Sequence, residues 1–191
     1  MKTLYIYQGI QGSGKSTKAR QFVLEDPDNR IRINRDDIRL MMGKPFNSKL
    51  ENLVTKIEDA ALTAAFKTGK DVVSDNMNLN SKFRRDLVKT AHRYGYSVVY
   101  RFVYTPLETC IERDANREHP VGEKVIRDTY EKYKTYIEAH NPENGANEVN
   151  GVIETCNKKK SNKWSLYKKI KFFILWRLCK NCNIIFLCGK E

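Results

Sequence analysis

Hydrophobic positions along the chain alternate between two periods. Short apolar runs of strand length occur at Leu4-Tyr5-Ile6-Tyr7, Ile31-Arg32-Ile33-Asn34, Asp71-Val72-Val73-Ser74-Asp75 and residues 97–104. Between them lie stretches with helical spacing: residues 17–23, 38–42, 48–68, 81–94, Pro106 to about 116, and 123–140. In the longest, Leu50, Leu53, Val54, Ile57, Ala61, Leu62 and Ala65 share one face, and Gly69 ends it. Turn residues mark the joins, as in Asp26-Pro27-Asp28-Asn29, Gly43-Lys44-Pro45 and Gly95. Asp36 or Asp37 is placed to cap the second helix, Asp37 being the better candidate. Val152-Ile153 offers a last strand. Strands alternating with helices predict an α/β domain with a parallel sheet of four to five strands and helices on both faces.

Charge divides the chain unevenly. Its 191 residues carry a net +12. Residues 158–191 hold ten Lys/Arg and one Glu, which accounts for +9 and leaves +3 for residues 1–157. The basic balance therefore belongs to the tail and says little about nucleic-acid binding by the rest. We read residues 1–155 as one domain and 156–191 as a basic, Cys- and Lys-rich appendage without clear periodicity. Its apolar run from 172 to 188 is broken by Arg177, Lys180 and asparagines, too polar for a membrane span. No signal peptide is visible ahead of the first strand. The five cysteines (Cys110, Cys156, Cys179, Cys182, Cys188) form no framework, and Cys179-x-x-Cys182 lacks a second ligand pair for zinc. Reduced thiols and a cytoplasmic setting are the expectation.

Chemistry enters at Gly9-Ile10-Gln11-Gly12-Ser13-Gly14-Lys15-Ser16, the G-x-x-x-x-G-K-[ST] phosphate-binding pattern between a strand and a helix. A chain turning through glycines into a helix N-terminus aims backbone N–H groups at one point, where the helix dipole adds positive charge. Gly12, Ser13, Gly14, Lys15, Ser16 and Thr17 are thus expected to bind ATP. Lys15 reaches the β- and γ-phosphates, and the Ser16 hydroxyl ligates Mg²⁺. Asp36 and Asp75 fall, like this loop, at strand C-termini, where ligands of parallel sheets bind. Asp75 stands where it would hold Mg²⁺ through water or orient a neighbour. Asp36 is the candidate base for an acceptor hydroxyl, and Arg39, one helical turn on, would clamp an anionic acceptor. Arg113 and Arg117 precede a segment, residues 118–122, expected to close as a lid over the phosphates. His92, His119 and His140 show no metal spacing and are read as surface residues.

Over residues 1–140 the chain resembles the phage-type 5′-hydroxyl polynucleotide kinases, a branch of the P-loop kinase fold. The resemblance rests on the loop, on Ile33-Asn34-Arg35-Asp36-Asp37-x-Arg39, on Ser74-Asp75 followed by Asn78-Leu79-Asn80 and Arg84-Arg85, and on Arg117 through Pro120-Val121 to Tyr130-x-x-Tyr133. It implies ATP and Mg²⁺ as cofactors and 5′-OH ends of RNA or DNA as acceptors. Asp36 would activate the hydroxyl, and Arg39, held by Asp75, would bind the acceptor's 3′-phosphate. Lys15 and Arg117 would act on the ATP phosphates, with Arg113 a lid contact to the nucleotide. Homo-oligomers are implied as well. One extra residue, Asn76 or Met77, separates Asp75 from Asn78, and no Asp-x-Asp-Gly-Thr sequence follows, so 3′-phosphatase activity is not expected. Two other readings share the loop: a kinase of small molecules or sugar nucleotides, as in the zeta toxins, and an ATP-gated switch with a nucleic-acid-binding tail. An open basic channel, to which Arg84, Arg85 and Lys89 would contribute, separates the first reading from the second; dependence on Asp36 separates it from the third.

Overall fold

The computed structural model describes residues 2–43 and 46–142, and the backbone of 150–154. Expectations for the 156–191 appendage and its cysteines lie outside the described residues. The elements are β1 (Thr3–Gln8), α1 (Lys15–Leu24), β2 (Arg30–Ile33), α2 (Arg35–Met41), α3 (Glu51–Thr68), β3 (Asp71–Asp75), α4 (Ser81–Arg93), β4 (Ser97–Phe102), α5 (Leu107–Ala115), α6 (Glu123–Glu138) and β5 (Asn150–Glu154). A single 3-10 turn, Ser48–Leu50, leads into α3.

The sheet order is β2-β3-β1-β4-β5. The first four strands are parallel, with Leu4 opposite both Val72 and Val98. The fifth pairs antiparallel to β4, with Val99 opposite Ile153. A wholly parallel sheet therefore stops at four strands, and an antiparallel edge strand completes it.

Pleating explains the two cores. Leu4, Ile6, Val72 and Val98 face one side and pack with Leu62 and Phe66 of α3 and Val88 and Ala91 of α4. Tyr7 and Val73 face the other and pack with Ala19 and Phe22 of α1. With both faces covered, β1 reads as a nearly continuous apolar run. A third cluster, Ile10, Leu79, Cys110, Ile126 and Ile137, fixes α5 and α6 beyond the strand ends. Gly69, at φ +80°, ends α3 as its sequence position indicates.

The chain leaves β1 towards β2, inserts β3 between them, and only then crosses to β4 on the opposite side of β1. That change of direction leaves a crevice at the C-terminal end of β1, where the glycine-rich loop lies.

Candidate active site

The loop is shaped by close backbone contact. At Gly12 (φ +77°) an added Cβ would sit 2.2 Å from the Cys110 carbonyl oxygen of α5, so the helix backbone leaves room only for glycine. Thr105 supports the turn, its hydroxyl donating to the Ser13 carbonyl at 3.0 Å. The Ser13 hydroxyl is buried and has no partner. Lys15 makes one long bond from Nζ, 3.4 Å to the Ile10 carbonyl. Burial pushes its ammonium pKa down, the charges of Asp75 and Asp36 push it back up, and Arg117 adds to the depression. Lys15 is therefore coupled through charge to Asp36, Asp75 and Arg117, three residues that the sequence pattern singled out. Arg113 comes within 3.6 Å, through Nη1, of the position a Gly14 Cβ would occupy, which places it over the loop.

A buried hydroxyl without a partner, an under-used lysine and a glycine-lined turn fit a bound triphosphate. The Ser16 hydroxyl donates to Asp75 Oδ1 at 3.0 Å, an oxygen pair suited to a hard cation. No cluster of three His, Cys, Asp or Glu occurs among the described residues. Mg²⁺ does not need one, because phosphates and water supply most of its ligands.

Asp75 is fully buried at the end of β3. Its Oδ2 accepts from Arg32 Nε at 2.8 Å and from Asn34 Nδ2 at 3.2 Å, with Arg32 Nη2 in ion-pair contact at 2.6 Å. Asn34 Nδ2 also bonds the Asp75 carbonyl, while Asn34 Oδ1 accepts the Asp37 N–H at 2.9 Å. Asn34 is thus the cap of α2, and Asp36 and Asp37 lie in its first turn instead of capping it. A single asparagine ties the helix carrying Asp36 to the strand end carrying Asp75.

Asp36 and Arg39, on one face of α2, are in contact, Arg39 Nη1 donating to Asp36 Oδ1 at 2.6 Å. Asp75 does not hold Arg39. Glu51, at the start of α3, takes Arg39 in a two-pronged bond, Nε and Nη2 each at 2.8 Å. A second layer supports this fork. Arg35 spans Glu51 (3.1 Å) and the largely buried Glu58 (2.8 Å), and Asn76, one of the two candidates for the extra residue after Asp75, donates to Glu58 at 2.6 Å. Glu51 is held below the usual carboxylate range, first by the bond from Arg39. Glu58 is pushed up by burial, against the pull of Arg35. Neither glutamate stands out in sequence, since both read as polar positions of an amphipathic helix.

The last turn of α5 has its own buried acid, Asp114, which sequence reasoning missed inside a helical run. Its Oδ2 accepts the N–H groups of Val121 and Gly122 at 2.9 Å each, and Oδ1 meets Arg117 Nη1 at 3.3 Å. Arg117 is thereby tied to the end of α5, next to residues 118–122. Arg84 departs from the channel role: its Nη1 donates to the carbonyls of Asn78 (2.8 Å) and Leu79 (3.1 Å), and its guanidinium lies over Tyr136. It pins the loop after β3. Arg85 is exposed, and Lys89 pairs with Asp86 at 3.5 Å on the surface. His140 is half-buried, stacked on Phe102 and Tyr136, instead of a free surface residue. No helix among the described residues is long and apolar enough to cross a membrane.

Residues 4–140 match the family described as the AAA domain. The chain is 28% identical over 149 residues to a protein of Autographa californica nuclear polyhedrosis virus, provisionally named a bifunctional polynucleotide kinase/RNA ligase, covering 69% of this chain and 21% of that one. It is 25% identical over 135 residues to the L-seryl-tRNA(Sec) kinase of Methanococcus maripaludis, covering 69% and 52%. In structure it is similar to a chain of the Pnkp1/Rnl/Hen1 RNA repair complex, with a TM-score of 0.63 and 27% identity over 83% of this chain and 50% of that chain. The chain thus spans from about a fifth to about half of the length of these relatives.

Proposed function

The chain belongs to the AAA-domain family and has a P-loop kinase fold, and from that premise we propose that it is an ATP-dependent polynucleotide 5′-hydroxyl kinase. One observation carries the reading. Asp75 binds the loop serine through one carboxylate oxygen and, through the other, the asparagine that caps the helix bearing Asp36 and Arg39. Donor and acceptor groups are therefore referenced to the same buried acid. The relatives named for polynucleotide kinase and RNA repair support the choice of acceptor.

In this mechanism the loop amides from Gly12 to Thr17, with Lys15, hold the triphosphate, and Arg113 contacts the nucleotide. Ser16 and Asp75 are the residues placed to hold Mg²⁺, which when bound neutralises charge on the β- and γ-phosphates. Arg39 binds the acceptor's 3′-phosphate and so sets the 5′ oxygen beside Asp36. As that oxygen bonds to the γ-phosphorus, its proton passes to the Asp36 carboxylate and the bond to the β-phosphate oxygen breaks, releasing ADP. Lys15 and Arg117 stabilise the charge spread over the moving group.

The test is labelled ATP offered with 5′-OH RNA and DNA oligonucleotides, nucleoside 3′-monophosphates and small sugars. Label on the 5′ ends of oligonucleotides is expected, with no 3′-phosphate release. Label confined to sugars or to inorganic phosphate would contradict the proposal. Residues 1–155 are taken as the catalytic unit, so deletion after Cys156 is expected to leave transfer intact.

A further inference from the structure

Beside the acceptor groups lies an aromatic side chain that the phosphoryl-transfer steps leave unused. Phe46, between α2 and α3, is 65% exposed. The Arg39 guanidinium carbon sits 5.9 Å from its ring centroid, at the outer limit of a cation–π contact. The core gains little from a ring this exposed. Leu40 and Met41, on the last turn of α2, are exposed as well.

Arg39 itself is only partly committed. A guanidinium offers five N–H donors. Glu51 takes two and Asp36 one, which leaves two for an anion. An aromatic face, a guanidinium with free donors and a carboxylate are thus joined in one contact chain. These are the three chemistries needed to stack a base, bind a phosphodiester and deprotonate a sugar hydroxyl. A small sugar would meet the ring with C–H bonds, without the π-face that a base presents. Single-stranded nucleic acids are held by such aromatic platforms whatever their sequence, because every base presents a π-face.

We propose that Phe46 is a stacking platform for a nucleobase within the first two nucleotides of the acceptor's 5′ end. The inference rests on the kinase reading above and deepens it. The ring favours a polynucleotide over a small alcohol, without preference among the four bases.

The experiment uses the full chain and three 5′-OH oligonucleotides: unmodified, abasic at the first nucleotide, and abasic at the second. The wild type is expected to lose about tenfold in kcat/KM on one of the abasic substrates, mostly through KM. In Phe46→Ala the penalty for that abasic site falls to about one, while Phe46→Trp keeps it. Because the ring is exposed, the Ala variant is expected to melt with the wild type, and the Trp variant supplies a folded comparison in any case. No abasic penalty in the wild type, or an equal penalty in wild type and Phe46→Ala, would overturn the stacking role while leaving the kinase reading standing. Failure of the wild type to label any oligonucleotide would overturn both.

Discussion

In the proposed donor half of the site, the phosphate-binding pattern occupies eight consecutive residues, Gly9 to Ser16, shaped by one strand, one turn and one helix. Arg113 and Arg117 are added from the end of α5 and the turn after it. In the acceptor half, Asp36 and Arg39 owe their positions to side chains far off in sequence: Asn34 reaches 41 residues to Asp75, Arg35 reaches 23 to Glu58, and Arg39 reaches 12 to Glu51. The first half is a backbone device and tolerates almost no change of local geometry. The second is a charge network, adjustable residue by residue. A site built in this way can keep one donor while its acceptor specificity drifts.

That contrast can be broken most sharply at Gly12. Gly12→Ala forces a Cβ to within 2.2 Å of a helix carbonyl, so loss of measurable ATP binding and of all transfer is expected in titration and turnover assays. Retained ATP binding would mean that the loop is far more pliable than its packing indicates.

Glu51→Gln acts on the acceptor half alone. With its two-pronged charged partner gone, Arg39 is expected to bind the acceptor about ten- to a hundredfold more weakly, about 1.5–3 kcal/mol for hydrogen bonds to a charged group. The rise should fall on the KM for oligonucleotide, with the KM for ATP unchanged. An equal rise in both would merge the two halves into one unit.

The two glutamates behind Arg39 respond to pH in opposite directions. Glu51 is depressed, so its stabilising contribution is fully present above the ordinary carboxylate value of 4.5 and is lost as pH falls through its lower folded value. Glu58 is raised by burial and takes up its proton first on acidification, with stability gained as pH falls from its folded value towards 4.5. Melting curves across this range should show Glu58→Gln removing that gain while keeping neutral-pH stability within about 1 kcal/mol of wild type. A flat profile in the wild type would show that Glu58 is not titrating there.

Asn34→Ala removes the α2 cap and the bonds from Nδ2 to the buried Asp75, and is expected to cost about 1–3 kcal/mol in denaturant unfolding. Its effect on transfer should exceed its effect on stability, because the cap also orients Asp36.

What the sequence made legible follows the same division. The donor loop was readable because its chemistry is contiguous, and the strands because apolar alternation is local. Gly69 marked a helix end for the same reason. The direction of β5 was not readable, since periodicity does not encode how a strand pairs. Asn34 was hidden by two adjacent acids, Asp36 and Asp37, each an acceptable cap by composition. Glu51, Glu58 and Asp114 were hidden because a paired acid inside a helix looks like a solvated one until its partner is placed. Arg84 resembled a ligand-binding cation because its actual partners are carbonyls, which leave no trace in a residue pattern.

The most direct measurement concerns Asp36. The account assigns it to the acceptor half alone, as the group that takes the hydroxyl proton. Asp36→Asn should therefore lower 5′ phosphorylation by about 10²–10⁴-fold while ATP binds the variant as it binds the wild type. Undiminished transfer by that variant would contradict the assignment of the base, and loss of ATP binding would contradict the division of the site into two halves.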